Sequence, residues 1–402
     1  MLVVNAAHLA SLASPPEHRW LPIFYALDYF KDETRATQDK PGAWIMGAVN
    51  ESALPPASRA RQAFIDAMDH WDEAAADAAV TSLVRSAGAQ EIFELFFRYG
   101  ARGFQDWHHS IYVANSRRLL DCIGWQHAEP VARSLTYALL SRKPSARIGA
   151  PDEKIWRGNL EAAEKLPATW LDGRTDSGAT RDLLATLRQG SAEDAAAKVI
   201  ELSHSGIAPQ SLWDAIFVRS TETLLCQRGF VALHAVTTTS ALHYAWQQAG
   251  DDRLRRQLLL YSAAFMPVFR EDMIGDVQRG GKVTEVDVEK LEPAPINAKG
   301  GDEVGEILTD ISGNRPLAAR KLLTFTARNP LPVQFFDAAR AMVFFKSNDV
   351  HGYKFSEAVF GDFRSVSPEW RNRYLAASAN WLRGGSGPDS PLVARTRAAL
   401  KG

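Results

Sequence analysis

The sequence predicts an all-α protein that forms a single domain over residues 1–402. Three observations support this prediction. Apolar residues recur at spacings of three and four, in alanine- and leucine-rich runs of about 12 to 20 residues. Few stretches alternate apolar and polar residues as half-buried strands do. The helical segments also repeat along the chain, which is typical of helices that stack around a common core.

Three segments resemble one another and define the repeat. They are "DEAAADAAVTSLVRSAGAQEIFELFF" from Asp72, "AEDAAAKVIELSHSGIAPQSLWDAIF" from Ala192 and, more weakly, "NRPLAARKLLTFTARNPLPVQFFDAA" from Asn314. Each contains a helix of small residues, a short break and a helix with an aromatic anchor. A helix that starts near a histidine and then a fourth helix follow in each unit. The aromatic anchors are Phe93, Trp213 and Phe336.

The N-terminal stretch matches the second half of such a unit. "LVVNAAHLAS" aligns with "TTTSALHYAW", which pairs His8 with His243, and a match to the fourth helix follows. We therefore expect about four units, of which the first is truncated. Residues 143–190 are rich in proline, glycine and charge, and residues 272–302 have no clear helical period. We expect both stretches to be irregular excursions on the surface of the domain.

The composition excludes several classes of partner. Hydrophobic residues make up 46% of the chain, charged residues 23%, and the net charge is -1. Such a balance does not indicate a nucleic-acid or acidic-membrane partner, and no apolar run is long enough to span a bilayer. The two cysteines, Cys122 and Cys226, do not form a disulfide framework and favour a reducing, cytoplasmic location. The oligomeric state stays open.

Polar residues recur on one face of the helices that follow the histidines. If His109, His234 and His351 are equivalent, the residues three, six and seven positions later share their side of the helix. Because the chemistry of this face differs between units, we expect the faces to line one shared pocket. The positions are Tyr112, Asn115 and Ser116, then Thr237, Ser240 and Ala241, then Lys354, Glu357 and Ala358, with Asn5 and Ala6 in the truncated unit.

Plainer interpretations of the same residues stay open. Duplication alone copies a histidine, and a buried histidine generally finds a hydrogen-bonding partner in the core. Lys354 and Glu357 have the spacing of a surface ion pair. His109, His234 and His351 are also candidate metal ligands, since histidines from separate helices can bind a metal in a bundle core. However, the chain contains no HExxH or CxxC motif.

The order of these motifs resembles the questin oxidase-like family. The matching segments are "HHSIY" from His108, "HAVT" from His234 and "HGYK" from His351, and the resemblance extends over most of the chain. In the family's "HPxIH" segment, this chain has Ser110 for the proline and Tyr112 for the second histidine. The resemblance implies an oxidoreductase of the Baeyer–Villiger type that acts on an aromatic or polycyclic small molecule, with NADPH and oxygen as co-substrates.

The expected roles follow from this resemblance and from the polar face. His109, His234 and His351 would orient the substrate and move protons, as histidines with a pKa near neutrality can do. Tyr112 would donate a hydrogen bond, and Lys354 would hold a developing anion. Thr237 is grouped with these catalytic residues. The expected substrate-binding residues are Asn5, Asn115, Ser240 and Glu357.

A non-catalytic helical scaffold is the alternative, because stacked helical pairs also form binding surfaces. A scaffold predicts an open superhelix with buried, hydrogen-bonded histidines. An enzyme predicts that the units close around a pocket that at least two of the three histidines touch. A metal-binding protein is the further alternative.

Overall fold

A computed structural model describes residues 2–38, 40, 44–102, 107–141, 149–275, 282–298, 301–347 and 349–401. Within these residues the chain forms nineteen α-helices, a few short 3-10 turns and one isolated β-bridge between Arg174 and Ile207. The predicted all-α class is therefore confirmed. None of the described helices has both the length and the apolar character that a membrane crossing requires.

The helices follow one another in this order: α1 (Leu2–Leu12), α2 (Trp20–Gln38), α3 (Ala57–Asp69), α4 (Glu73–Ser86), α5 (Ala89–Gly100), α6 (His108–Ile123), α7 (Ala128–Leu140), α8 (Gly149–Ala162), α9 (Ser177–Gln189), α10 (Ala192–His204), α11 (Pro209–Cys226), α12 (Phe230–Gln248), α13 (Asp252–Gly275), α14 (Glu303–Gly313), α15 (Arg315–Arg328), α16 (Val333–Lys346), α17 (Val350–Asp362), α18 (Pro368–Ser378) and α19 (Pro391–Ala399).

Four of these helices pack side by side in a ring. α6 contacts α12, α12 contacts α17, α17 contacts α1, and α1 contacts α6. They are the four helices that carry the predicted polar face, although they lie more than 100 residues apart along most of the chain. The ring therefore brings together polar positions from the whole length of the sequence.

Helix α12 is the most deeply buried member of the ring. Every residue from Val231 to His243 is buried, as expected for a helix that is covered on all sides. Its threonines find backbone acceptors: Thr238 Oγ1 donates to Trp107 O over 3.0 Å and Thr237 Oγ1 to Leu233 O over 3.4 Å. Hydroxyls with local acceptors are compatible with a buried helix.

The outer helices cover the ring with a recurring set of contacts. In each of the three complete units that the sequence predicts, the first helix packs against the fourth: α4 on α7, α10 on α13 and α15 on α18. The second packs against the third: α5 on α6, α11 on α12 and α16 on α17. The repeat itself stays a prediction, and these contacts are those that it leads us to expect.

The structure corrects the expectation for residues 143–190. This stretch contains α8 and α9 instead of an irregular excursion. Its second helix is capped by Asp176, whose side chain accepts a hydrogen bond from Ala179 N over 3.0 Å. Trp170 between the two helices is almost fully buried. The residues from 142 to 148 lie outside the described part of the chain.

In the second expected excursion, residues 272–275 belong to α13, and residues 276–281 and 299–300 lie outside the described part of the chain. Residues 282–298 are irregular but anchored to the core. Residues 282–298 contain only a short 3-10 turn at Val288–Lys290. Val288 is fully buried, and its N–H donates to Glu222 Oε1 over 3.0 Å. Thr284 N donates to Cys226 O over 3.0 Å. Both Cys226, which is buried, and Cys122, which is exposed, are free thiols.

Candidate functional site

A cavity of about 270 Å³ lies between the four ring helices. Five of the predicted polar residues line this cavity together, and each comes from α6, α12 or α17. Ala6, Ala241 and Ala358, which the same spacing predicts, line it too. Helix faces that lie far apart in the sequence therefore meet at this cavity. The five polar residues are Asn115, Thr237, Ser240, Lys354 and Glu357.

The remaining predicted residues lie behind this lining. Asn5 Nδ2 donates to Asn115 Oδ1 over 2.6 Å, so Asn5 orients a lining residue without itself reaching the cavity. Tyr112 stacks on the ring of His108, with 5.6 Å between ring centroids. The cavity lining includes none of His109, His234 and His351. This cavity therefore does not meet the expectation that at least two of these histidines touch the pocket.

The histidines form a separate cluster next to the cavity. His234 Nε2 lies 3.0 Å from His108 Nε2, and its ring centroid lies 5.5 Å from that of His351. Lys354 acts electrostatically on His234. Thr237 and Lys354, which line the cavity, follow His234 and His351 by one helical turn. The cluster and the cavity are thus neighbours along the same helices.

His108, not His109, is the residue of α6 that meets His234. His109 is buried with 4% of its surface exposed, and its ring lies 6.5 Å from that of Tyr112. Counted from His108, the cavity-lining residues Ile111 and Asn115 follow at positions three and seven. The helical period can be counted from either histidine of the dipeptide "HH". In the structure, the count that starts at His108 gives the residues that line the cavity.

Burial sets the protonation of His234. It lowers the pKa of His234 to about 3, with the neighbouring His108 acting in the same direction. The ring is therefore neutral near pH 7, which corrects the expectation of a near-neutral pKa. Its Nδ1 donates to Phe230 O over 2.6 Å, since a carbonyl can only accept. Its Nε2 must then accept the hydrogen bond from His108 Nε2.

Asp349 fixes His351. Asp349 Oδ1 lies 2.7 Å from His351 Nδ1 and also accepts a hydrogen bond from the His351 N–H over 3.0 Å, which caps α17. Burial raises the pKa of Asp349, but these hydrogen bonds outweigh it and the net pKa is lowered. The His351 ring also packs against Phe230, with 4.8 Å between ring centroids. These contacts with Asp349 and Phe230 fix the orientation of the His351 ring.

Lys354 and Glu357 do not pair with each other. Glu357 Oε1 accepts from Arg340 Nε over 2.8 Å, and both side chains are almost fully buried. Lys354 forms no ion pair within the described residues. Burial lowers the pKa of Lys354, and the more distant Asp349 partly offsets this effect. The structure thus replaces the expected surface ion pair by a buried Arg340–Glu357 pair and a half-buried lysine at the cavity.

Two charged residues of the lining, Asp362 and Arg118, were missed by the sequence-based prediction. Burial raises the pKa of Asp362 to about 7, against weaker effects of Ser240 and Arg118. The polar face was followed for only seven positions. Asp362 lies eleven residues after His351 and Arg118 ten after His108, so one more turn of the same helical period reaches both.

The described residues contain no group of three or more His, Cys, Asp or Glu side chains that could hold a metal ion. His234 uses its Nδ1 for Phe230 O, and His351 uses its Nδ1 for Asp349. His109 lies outside the cluster that His108 forms. The geometry therefore gives the metal interpretation no support in this part of the chain.

Fold and site together define an all-α protein with a half-open cavity between four helices, lined by both polar and apolar residues. Compared with known proteins, the chain gives no significant match to a family model, to a curated protein or to a solved structure.

Proposed function

We propose that this chain is an enzyme that binds a small organic molecule in the four-helix cavity and acts on it as an oxidoreductase of the questin oxidase-like type. One observation carries the proposal. Polar positions from helices that lie far apart in sequence converge on one cavity, as the spacing of the residues leads us to expect. Concave sites with a few convergent polar groups are typical of small-molecule enzymes.

Each lining residue has a role that its chemistry supports. Thr237, Ser240 and Asn115 provide hydroxyl and amide groups that orient a carbonyl or hydroxyl of the substrate. Lys354 has no carboxylate partner in the described chain and can stabilise negative charge that develops on a substrate oxygen. The neutral His234, held by His108, supports the turn of α12 from which Thr237 projects.

The resemblance also implies NADPH, and the cavity lining does not fit it. Dinucleotide phosphates are generally held at helix N-termini and glycine-rich turns. The cavity residues of α6, α12 and α17 instead lie on helix flanks and C-terminal turns. We therefore derive no step that involves NADPH.

The proposal is tested with two isosteric variants of α12. Thr237→Val removes a hydroxyl at the cavity and costs only a long hydrogen bond to Leu233 O. We expect turnover to fall at least about tenfold, because a positioned polar group commonly contributes that much, with an unchanged melting temperature. Thr239→Val is the matched control, since Thr239 is buried on the same helix but does not line the cavity.

The assay measures oxygen uptake by the wild type with a panel of hydroxylated aromatic compounds, with and without NADPH, and then compares the two variants. Equal turnover by Thr237→Val and wild type would contradict the assigned site. If the wild type consumes no oxygen with any compound, the oxidoreductase proposal fails.

A helical scaffold is the second candidate, and the state of His234 favours it. This side chain is 3% exposed and both its ring nitrogens have partners within the protein, as a core histidine should. A scaffold predicts that Thr237→Val and Thr239→Val behave alike in every assay and that no small molecule binds in the cavity.

A further inference from the structure

We infer that the cavity recognises an organic acid, whose carboxylate is held by Arg118 and Lys354 while Asp362 faces it as a neutral carboxyl group. The inference rests on the proposed function for the place of binding, and adds the chemical class of the ligand. It starts from the charged side chains that line the cavity.

Two cations, Arg118 and Lys354, line the cavity. Neither Arg118 nor Lys354 forms an ion pair in the part of the chain that the structure describes. The guanidinium of Arg118 lies 4.1 Å from the centre of the Tyr244 ring, which leaves its N–H groups available. Buried or half-buried cations are normally paired. A carboxylate would supply the missing partner and would favour the charged form of Lys354.

The acids at the cavity do not neutralise these cations. The charge of Glu357 is already matched by Arg340, at 2.8 Å. Asp362 is 9% exposed, and its Oδ2 is buried with no hydrogen-bonding partner among the described residues. An ionised carboxylate would not be left in this state, because a buried unpaired charge is costly. A protonated Asp362 instead has a hydrogen to donate to a ligand oxygen.

The environment of Asp362 agrees with a neutral form. Burial raises its pKa to about 7, and the neighbours that oppose this rise are Ser240 on α12 and Arg118 on α6. Tyr374 on α18 also interacts electrostatically with Asp362. A bound carboxylate would disfavour ionisation of Asp362 further. The cavity volume of about 270 Å³ is near the lower end for ligand sites and suits a one- or two-ring acid.

The test compares 2-naphthoate with its neutral isostere 2-naphthamide by isothermal titration calorimetry at pH 7. We expect the wild type to bind naphthoate at least about tenfold more tightly than naphthamide, as a hydrogen bond to a charged group implies. Arg118→Gln and Lys354→Gln should each remove about tenfold of the naphthoate affinity and leave naphthamide unchanged. Arg118→Lys keeps the charge and should retain most of the affinity.

Exposed cations serve as matched controls. Arg253→Gln and Lys290→Gln remove side chains that are 62% and 83% exposed, and should bind both probes as the wild type does. Circular dichroism melting shows whether each variant is folded. A folded Arg118→Gln or Lys354→Gln variant with an unchanged preference for naphthoate would overturn the inference. Two results for the wild type would also overturn it: binding of neither probe, or equal binding of both. The proposed function fails separately, through the Thr237→Val assay.

Discussion

Asp362→Asn should stabilise the protein strongly at pH 8 and only slightly at pH 4.5. The folded protein holds this proton more tightly than the unfolded chain, because burial raises the pKa of Asp362 from 3.8 to about 7. Between these two values the folded state binds more protons, so wild-type stability falls as the pH rises through this window. Asparagine has the same shape and cannot ionise, so it removes this effect.

The expected size follows from the same pKa values. One pKa unit corresponds to about 1.4 kcal/mol, so the penalty above pH 7 reaches about 4 kcal/mol and shrinks to about 1 kcal/mol near pH 4.5. Urea unfolding of wild type and variant at both pH values measures the difference. Asp182→Asn is the control, since Asp182 is exposed. Equal destabilisation by Asp362→Asn at both pH values would show that the ionised carboxylate is held favourably by Arg118.

Glu222→Gln should lower the free energy of unfolding by about 3–5 kcal/mol, as expected when one partner of a buried ionic network loses its charge. Glu222 is fully buried and accepts hydrogen bonds from Arg188 and Arg219, each over 2.6 Å, and from Val288 N over 3.0 Å. The neutral amide would leave the buried guanidinium of Arg219 without a counter-charge, while Arg188 would keep Asp287 and Glu289 as partners. It would also weaken the anchor of residues 282–298.

Urea unfolding measures this loss, and limited proteolysis reports the release of residues 282–298. Glu201→Gln is the matched control. Among the described residues Glu201 pairs only with Lys198, and its side chain is 62% exposed, so the change should be within about 0.5 kcal/mol. A loss below about 1 kcal/mol for Glu222→Gln would contradict the view that this network fixes the segment to the core.

Helical periodicity alone was enough to predict the fold class and much of the cavity lining. A spacing of three, six and seven residues selects Thr237 and Ser240 on α12 and Lys354 on α17, and all three line the cavity. The prediction works because these positions depend only on local helix geometry. The same period, continued for one more turn, would have included Asp362, and also Arg118 if α6 is counted from His108 instead of His109.

Other features depend on tertiary contacts that local patterns do not encode. Glu357 has Lys354 at ion-pair spacing, yet it pairs with Arg340, 17 residues away. The low pKa of His234 results from burial by neighbouring helices, and the sequence does not show which of two adjacent histidines faces it. The helices α8 and α9 were missed because glycine, proline and charge in 143–190 resemble loop composition.

The most direct measurement is a crystal structure of the protein with 6-bromo-2-naphthoate, located by the anomalous scattering of its bromine. We expect a single strong bromine peak inside the four-helix cavity, with the carboxylate within about 3 Å of Arg118 or Lys354. A second, more apolar groove is lined by residues of α1 and α2 that include Val4, Leu27 and Phe30. Bromine only in this groove, or no bound ligand at all, would contradict the claim that the converging polar faces form a site for a small organic acid.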